Sequence, residues 1–347
     1  MLGKLAGRAV PTAEVRLAAL CGAPPQTAAL AARGPLEALA LGVDVTGYSH
    51  AYRGELVTID NGALRDSRLV RLTLQETEQF TQEIQKLFDP ARVRLVAGAP
   101  GRVVVLVRAE GETLLAGQAP WLLEDEILES LPSPRGAELI REMLEKSAQA
   151  LTRHAINDVR VDLGENPANA LWLWGGGSLA RLHTTFSGNL LMLTQSAMAA
   201  GLARAVGAHV ETLADPWSAT QTAEVVDRDT LQAWLQEYDR VVVYVESPPE
   251  LRSGSAEERV RLLERMDVLL TQPLLEVFKW LKERRFALLS VDASVPEEAA
   301  RRAPQLVALW GSRLEPDAVE HWDEASCKEG GLAGVSVNDL EKMLLGE

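Results

Sequence analysis

The sequence predicts an α/β protein: a mostly parallel sheet flanked by helices, with a smaller α+β module inserted into it. Three observations carry that expectation. Continuous apolar runs at Leu171-Trp172-Leu173-Trp174, Arg240 to Val245 and Phe286 to Val291 have the length of buried strands. The last two show little alternation, as expected where helices cover both faces of a parallel sheet. Between such runs lie segments with helical periodicity, the usual texture of an α/β chain.

The helices fit Thr194 to Val206, Asp229 to Glu237 and Glu257 to Glu283. The first is rich in alanine and follows a short strand at Asn189 to Leu193. The last opens on acidic residues and carries an apolar stripe through Leu262, Leu263, Met266, Leu269 and Leu270, one face of an amphipathic helix. From Leu56 to Asp162 the texture changes. Short strands at Leu56 to Ile59, Arg92 to Ala97 and Arg102 to Val107 are interleaved with helices at Gln75 to Phe88 and Gly136 to Ala155. Turns at Gly98 to Gly101 and Pro132 to Gly136 punctuate them. The expected division is a core of residues 1–55 and 163–347 around an α+β insert of residues 56–162.

Composition narrows the function classes. Hydrophobic residues make up 47% and charged residues 24% of 347, an ordinary globular balance. Thirty-five basic against 49 acidic side chains leave a formal charge of −14, which disfavours nucleic acid and anionic membrane as partners. A local pocket for a phosphorylated small molecule is compatible with it. Cys21 and Cys327 show neither disulfide nor metal spacing, and no apolar run approaches the roughly 20 residues of a membrane helix. A cytoplasmic protein is expected.

Several segments in chain order resemble the archaeal-type cofactor-independent phosphoglycerate mutases, members of the alkaline phosphatase superfamily. Arg33-Gly34-Pro35-Leu36-Glu37-Ala38 is similar to that family's R-G-P-x-E-A, and Tyr52-Arg53-Gly54-Glu55-Leu56-Val57-Thr58 to its F-R-x-N-L-V-T. His154-Ala155-Ile156-Asn157 is similar to H-P-V-N. The run from Pro167 through Trp172-Leu173-Trp174 to Gly177 matches P-A-N-x-I-W-L-W-G-x-G at the same spacing. Glu246-Ser247-Pro248, Pro273-Leu274-Leu275-Glu276 and Glu329-Gly330-Gly331-Leu332 continue the match. The resemblance implies an alkaline-phosphatase-like core and interconversion of 3- and 2-phosphoglycerate. It also implies a serine nucleophile that is transiently phosphorylated, activated by two divalent metals, usually manganese. Hard cations want carboxylate and imidazole ligands, and a metal pair stabilises a phosphoryl group in transfer.

The positions that the resemblance assigns to this chemistry have changed. The nucleophile segment G-S-D-V-A-N-L-x-L-L-G aligns with Thr12 to Gly22 and puts Ala13 at the serine. After the strand ending at Val245, the family's E-A-P-D-E-A-G-H aligns so that Pro249 and Ser253 replace the ligand aspartate and histidine. In the D-H-x-T-P segment Asp292 survives, but Ala293 stands for the histidine. Ala200 takes the position of the substrate-side lysine. The strand ending in the first metal-binding aspartate is expected to be missing, because only ten residues precede Pro11. With that ligand set the chain is expected to carry no metal. Its site would retain Asp292, Glu14 and Glu246 as remnants.

Three readings follow: a non-catalytic homologue kept for binding or assembly, a phosphate-ester enzyme with a remodelled site, or a mutase whose first strand lies upstream. The exposed sheet edges left by a missing strand would favour self-association or pairing with an active paralogue. Gly175, Gly176 and Gly177 after a strand could cradle an anion with their N–H groups or simply make a tight turn. Trp172 and Trp174 alternate with leucines, so both should face one side of the sheet and pack in the core. His50, His154, His183, His209 and His321 show no helical metal-ligand spacing, and His154 is expected to support packing.

Overall fold

The computed structural model describes residues 2–5, 13–28, 30–67, 72–109, 114–123, 125–126, 136–179, 182–218, 221, 223–248, 251, 254–280, 285–289, 305–311, 317–319, 326–333, 335, 339–340 and 343. In chain order its strands are β1 (Leu2–Leu5), β2 (His50–Asp60), β3 (Ala63–Asp66), β4 (Val93–Ala99), β5 (Arg102–Val107), β6 (Ala170–Ser178), β7 (Leu190–Thr194), β8 (His209–Thr212), β9 (Arg240–Tyr244), β10 (Arg285–Leu289) and β11 (Gln305–Gly311). The helices are α1 (Ala13–Leu20), α2 (Pro25–Ala28), α3 (Arg33–Ala40), α4 (Leu74–Gln85), α5 (Glu138–Leu151), α6 (Ala155–Asp162), α7 (Ala197–Ala205), α8 (Arg228–Glu237), α9 (Ala256–Met266) and α10 (Gln272–Trp280). The chain forms two compact units. One holds residues 1–29, 183–199 and 206–347; the other holds 30–182 and 200–205.

The unit of residues 30–182 is built on β2, which pairs antiparallel with β5 on one side and with β6 on the other. A hairpin adds β3, and β4 closes the far edge. The β2–β3 turn is Asn61-Gly62, both with positive φ (49° and 74°), the conformation that matches the twist of paired strands. On one face Tyr52, Leu56, Leu171 and Leu173 pack with Phe80 and Ile84 of α4 and Met143 and Leu151 of α5. On the other face Ala51, Val104 and Leu106 meet Ala38 of α3. Helix α4 begins in a capping box, in which Thr73 Oγ1 accepts from Glu76 N while Glu76 accepts from Thr73 N. His154 caps α6 by accepting from Ile156 N, and its ring stands edge-on to Phe80 at 4.9 Å. Asn157 ties the same helix to Leu151 O and Ala168 O.

Tyr52 illustrates how this core constrains chemistry. Its ring is buried and its hydroxyl donates to Leu115 O at 2.7 Å. Burial pushes the phenol up to about 12, against an ordinary value near 10. The folded state therefore holds this proton more tightly than the unfolded chain. Its contribution is complete below about pH 10 and is lost as pH rises toward about 12. Tyr52→Phe is expected to remove that alkaline loss of stability and one tyrosinate transition from the ultraviolet titration, at a neutral-pH cost of about 1 kcal/mol for the hydrogen bond. An unchanged alkaline limb in the variant would contradict this assignment.

The other unit contains a three-stranded sheet in the order β8-β7-β9, parallel throughout. Leu191 and Leu193 pack with Leu231 and Leu235 of α8, with Leu269 and Leu270, and with Leu274 and Val277 of α10. The expected long helix is present as α9 and α10 joined through a π-helical turn at Asp267–Thr271. A second, antiparallel sheet has the order β1-β11-β10.

One sequence expectation, the single parallel sheet, is corrected here. The runs at Leu171, Val241 and Leu288 do not lie side by side in one parallel sheet. They belong to three different sheets, and only β8-β7-β9 is parallel. The Leu171 run, β6, joins the strands near Leu95 and Val105 through β2. Its register along β2 runs from Val57↔Ala170 to His50↔Ser178, so a boundary at residue 55 would cut through β2. A short apolar run records burial but carries no information about its pairing partner. Finally, residues 2–5 do form a strand, but it lies antiparallel on β11 and contains no aspartate.

Candidate functional site

In a parallel α/β sheet, ligands bind outside the carboxyl ends of the strands. Here β7 ends at Thr194 and β9 at Tyr244, in register. Thr194 Oγ1 donates to Tyr244 O at 2.8 Å and accepts from Ser196 N at 2.9 Å. Gln195 Nε2 and Trp217 Nε1 both donate to Glu246 O, at 3.1 and 2.8 Å. The buried Ser196 hydroxyl donates to Glu246 Oε2 at 2.6 Å. Glu246, expected as a remnant carboxylate, is therefore held by this hydroxyl.

Arg240 Nη1, at the start of β9, donates to Leu20 O at 2.7 Å, which fixes the end of α1 there. Ala13 is half-buried, and Glu14 and Arg16 are buried. Burial lowers the Arg16 guanidinium from its usual value, and the Glu14 carboxylate partly restores it. Among the described residues, Arg16 Nε and Nη1 have no hydrogen-bond partner. Sequence reasoning passed over Arg16; the available signal was a single cation inside the apolar run Val15-Arg16-Leu17-Ala18.

The segments that carried the family resemblance meet in the other unit. Along β2, Arg53 and Glu55 point to the face opposite Tyr52 and Leu56, as the two-residue period of a strand requires. Arg53 Nη1 donates to Glu37 Oε1 of α3 at 2.8 Å, and its Nε donates to Glu55 Oε1 at 2.7 Å. Arg33 approaches Glu37 at 3.8 Å. Both guanidinium groups lie over the Trp174 ring, at 5.7 Å for Arg33 and 5.1 Å for Arg53. Trp172 and Trp174 face the same cluster as Val57, Leu64 and Ala170, as alternation predicts.

Gly175, Gly176 and Gly177 have a packing reason. A Cβ at these positions would meet Arg33 Cβ at 2.7 Å, Tyr52 Cε1 at 2.2 Å and Ala32 Cβ at 2.6 Å respectively. The Gly176 N–H donates to Ala116 O at 2.8 Å. These glycines let α3 and Tyr52 close onto β6, and that one donor is already used within the fold.

Of the remaining expected positions, Ala200 is half-buried in α7. Thr12, Pro249, Ser253, Asp292, Ala293 and His321 lie outside the described residues. His183 meets Thr27 Oγ1 at 3.4 Å, His209 meets Glu211 at 2.9 Å, and His50 meets Ser49 Oγ at 3.0 Å. Among the described residues no helix is long and apolar enough to cross a membrane.

Residues 19–157 match the profile of the family described as 2,3-bisphosphoglycerate-independent phosphoglycerate mutase. A curated protein of that name from Methanothrix thermoacetophila is 26% identical over 322 residues, covering 90% of this chain and 81% of the relative. The protein named 2,3-bisphosphoglycerate-independent phosphoglycerate mutase 2 from Methanothermobacter thermautotrophicus is 29% identical over 329 residues, with 90% and 79% covered. Among solved structures, the PH0037 protein of Pyrococcus horikoshii superposes with a TM-score of 0.65 at 21% identity, covering 100% of this chain and 86% of that one. The cofactor-independent phosphoglycerate mutase of Thermoplasma acidophilum gives a TM-score of 0.51 at 18% identity, with 100% and 88% covered. Over most of its length the chain is thus similar in sequence to cofactor-independent phosphoglycerate mutases, and it shares the fold of the solved structures.

Proposed function

We propose that this chain is a non-catalytic member of that lineage, which binds a phosphorylated small molecule or assembles with another copy or an active paralogue. The carrying observation is Ala13. It stands where the resemblance places the serine nucleophile, in the first turn of α1. A methyl group has no oxygen to accept a phosphoryl group. The residues present do not fit a dinuclear metal group either. Pro249, Ser253 and Ala293 offer no carboxylate or imidazole where the family has ligands. Arg16 also puts a buried positive charge one turn from Ala13, and a fixed cation there opposes the binding of divalent ions.

The test is mutase activity on 3-phosphoglycerate with added Mn²⁺, together with elemental analysis of the purified chain. No conversion is expected from the natural sequence or from Ala13→Ser, because the serine alone does not restore the ligands. Stoichiometric bound metal, or steady conversion to 2-phosphoglycerate, would overturn the reading. One observation favours a remodelled phosphate-ester enzyme instead: the 2.6 Å Ser196–Glu246 pair, a hydroxyl held by a carboxylate at the carboxyl edge of the parallel sheet. Hydrolysis of p-nitrophenyl phosphate that disappears in Ser196→Ala would select that alternative.

A further inference from the structure

Helix α9 contains no buried residue. The apolar stripe that the sequence presents as one face divides here. Leu269 and Leu270, just beyond the helix, are buried, and Leu262 and Met266 are half-buried. On that same inner side Arg265 donates to the loop carbonyls of Pro216, Ser218 and Gln221. Val260 and Leu263 instead stand in solvent, 52% and 50% exposed, with Ala256 exposed one turn before them. Single exposed apolar residues are ordinary. These three differ because the spacing of residues 256, 260 and 263 sets them in one line along the helix surface, as in the seam of a coiled coil.

The flanks of that line say what covers it. With Val260 at the first core position of a heptad (a) and Leu263 at the second (d), Arg259 precedes the seam at g and Glu264 follows it at e. Two parallel copies bring g of one helix beside the next e of the other. Arg259 of each copy then meets Glu264 of the other, on both sides of the two-fold axis. Both residues are exposed and, among the described residues, make no ion pair within the chain, whereas Glu257 is taken up by Arg261. A β-branched residue at a with leucine at d also favours two strands. An antiparallel pair would set Glu257 against Glu264 instead. Helix α6 supplies the contrast. Its Val159 and Leu163 are exposed as well, but Asp158 and Asp162 flank them, and in a self-pair those charges repel. We propose that α9 is a self-association surface, on which a second copy of this chain packs with the two helices parallel. Ala256, Val260 and Leu263 form the seam, and reciprocal Arg259–Glu264 pairs fix its direction. Asp267, at the next core position, would face its own copy and so ends the seam. The proposal gives the assembly part of the reading above one occupant and one face. A seam this short falls below the roughly 1,200 Å² of a stable interface, so the pairing is reversible and concentration-dependent.

The experiment is sedimentation velocity of the full chain between about 1 and 200 µM, a range over which mass action moves such an equilibrium. Wild type is expected to pass from monomer toward dimer. Leu263→Glu should stay monomeric with an unchanged Tm, because the side chain it replaces is exposed. Arg259→Glu and Glu264→Arg should each associate about tenfold or more weakly, since each places like charges at both contacts. An equimolar mixture of those two variants should dimerise like wild type, because every mixed pair again joins opposite charges. The proposal is overturned by a chain that remains monomeric up to about 200 µM, or by a dimer that survives Leu263→Glu. A sharply lower Tm for Leu263→Glu would also overturn it, since Leu263 would then pack within the fold. So would a mixture no tighter than its components, which would exclude the parallel Arg259–Glu264 pairing. These outcomes are separate from the mutase assay: turnover with Mn²⁺ defeats the non-catalytic reading, whereas a monomeric chain defeats only this surface.

Discussion

Gly201→Ala is expected to destabilise the protein by about 3 kcal/mol or more, at the upper end of over-packing effects. Gly201 lies in α7, and a Cβ there would sit 1.7 Å from Leu36 O, 2.6 Å from Leu36 C and 3.2 Å from Ala40 N. All three atoms are backbone of α3, so no rotamer change can make room. The two helices would have to separate, breaking the bonds that Arg204 Nη1 makes to Leu39 O and Ala40 O. Gly98→Ala is the control. Its nearest atom is Leu41 Cδ1 at 3.4 Å, the tip of a flexible side chain, so a small effect is expected. Urea midpoints measure both variants. A Gly201→Ala midpoint matching that of Gly98→Ala would show that α7 does not approach α3 so closely.

That contact also shows what the sequence carries and what it hides. Gly201 is visible in the primary structure as a lone glycine in an alanine-rich helix, and a glycine there usually marks either a weak point or a close approach. Only the partner backbone decides between them. The same holds for Gly175 to Gly177. Their need for space is legible, but the occupant is the protein itself, Arg33, Tyr52 and Ala32, and the anion reading arose because composition cannot name the neighbour. Elements whose signals are local were legible: the amphipathic stripe of α9 and α10 and the apolar cores of β7 and β9. Sheet membership was not. The Leu171, Val241 and Leu288 runs look alike because burial is a property of each strand, whereas pairing is decided by distant residues such as those of β2. At the site, Ala13 could be found by comparison with the motif of the family that the chain resembles. Arg16 could not, because nothing in the helix pattern reveals that its side chain is buried.

Arg53→Met carries the second large expected effect, a loss of about 3–5 kcal/mol of stability. Arg53 is 3% exposed and is the hub of a buried charge cluster. It donates to Glu37 Oε1 at 2.8 Å and to Glu55 Oε1 from Nη2 at 2.6 Å, while its guanidinium lies over the Trp174 ring. Methionine fills similar space but takes the shared cation from two buried carboxylates, with Arg33 approaching Glu37 at 3.8 Å. The cost comes from those stranded charges rather than from the lost bonds. A triple variant, Arg53→Met with Glu37→Gln and Glu55→Gln, is therefore expected to regain most of the stability, since the neutral amides need no cation. Urea unfolding of the single and triple variants decides the matter. A single variant within about 1 kcal/mol of wild type would place the cluster among weakly coupled surface pairs. A triple variant as unstable as the single would assign the loss to packing around Trp174.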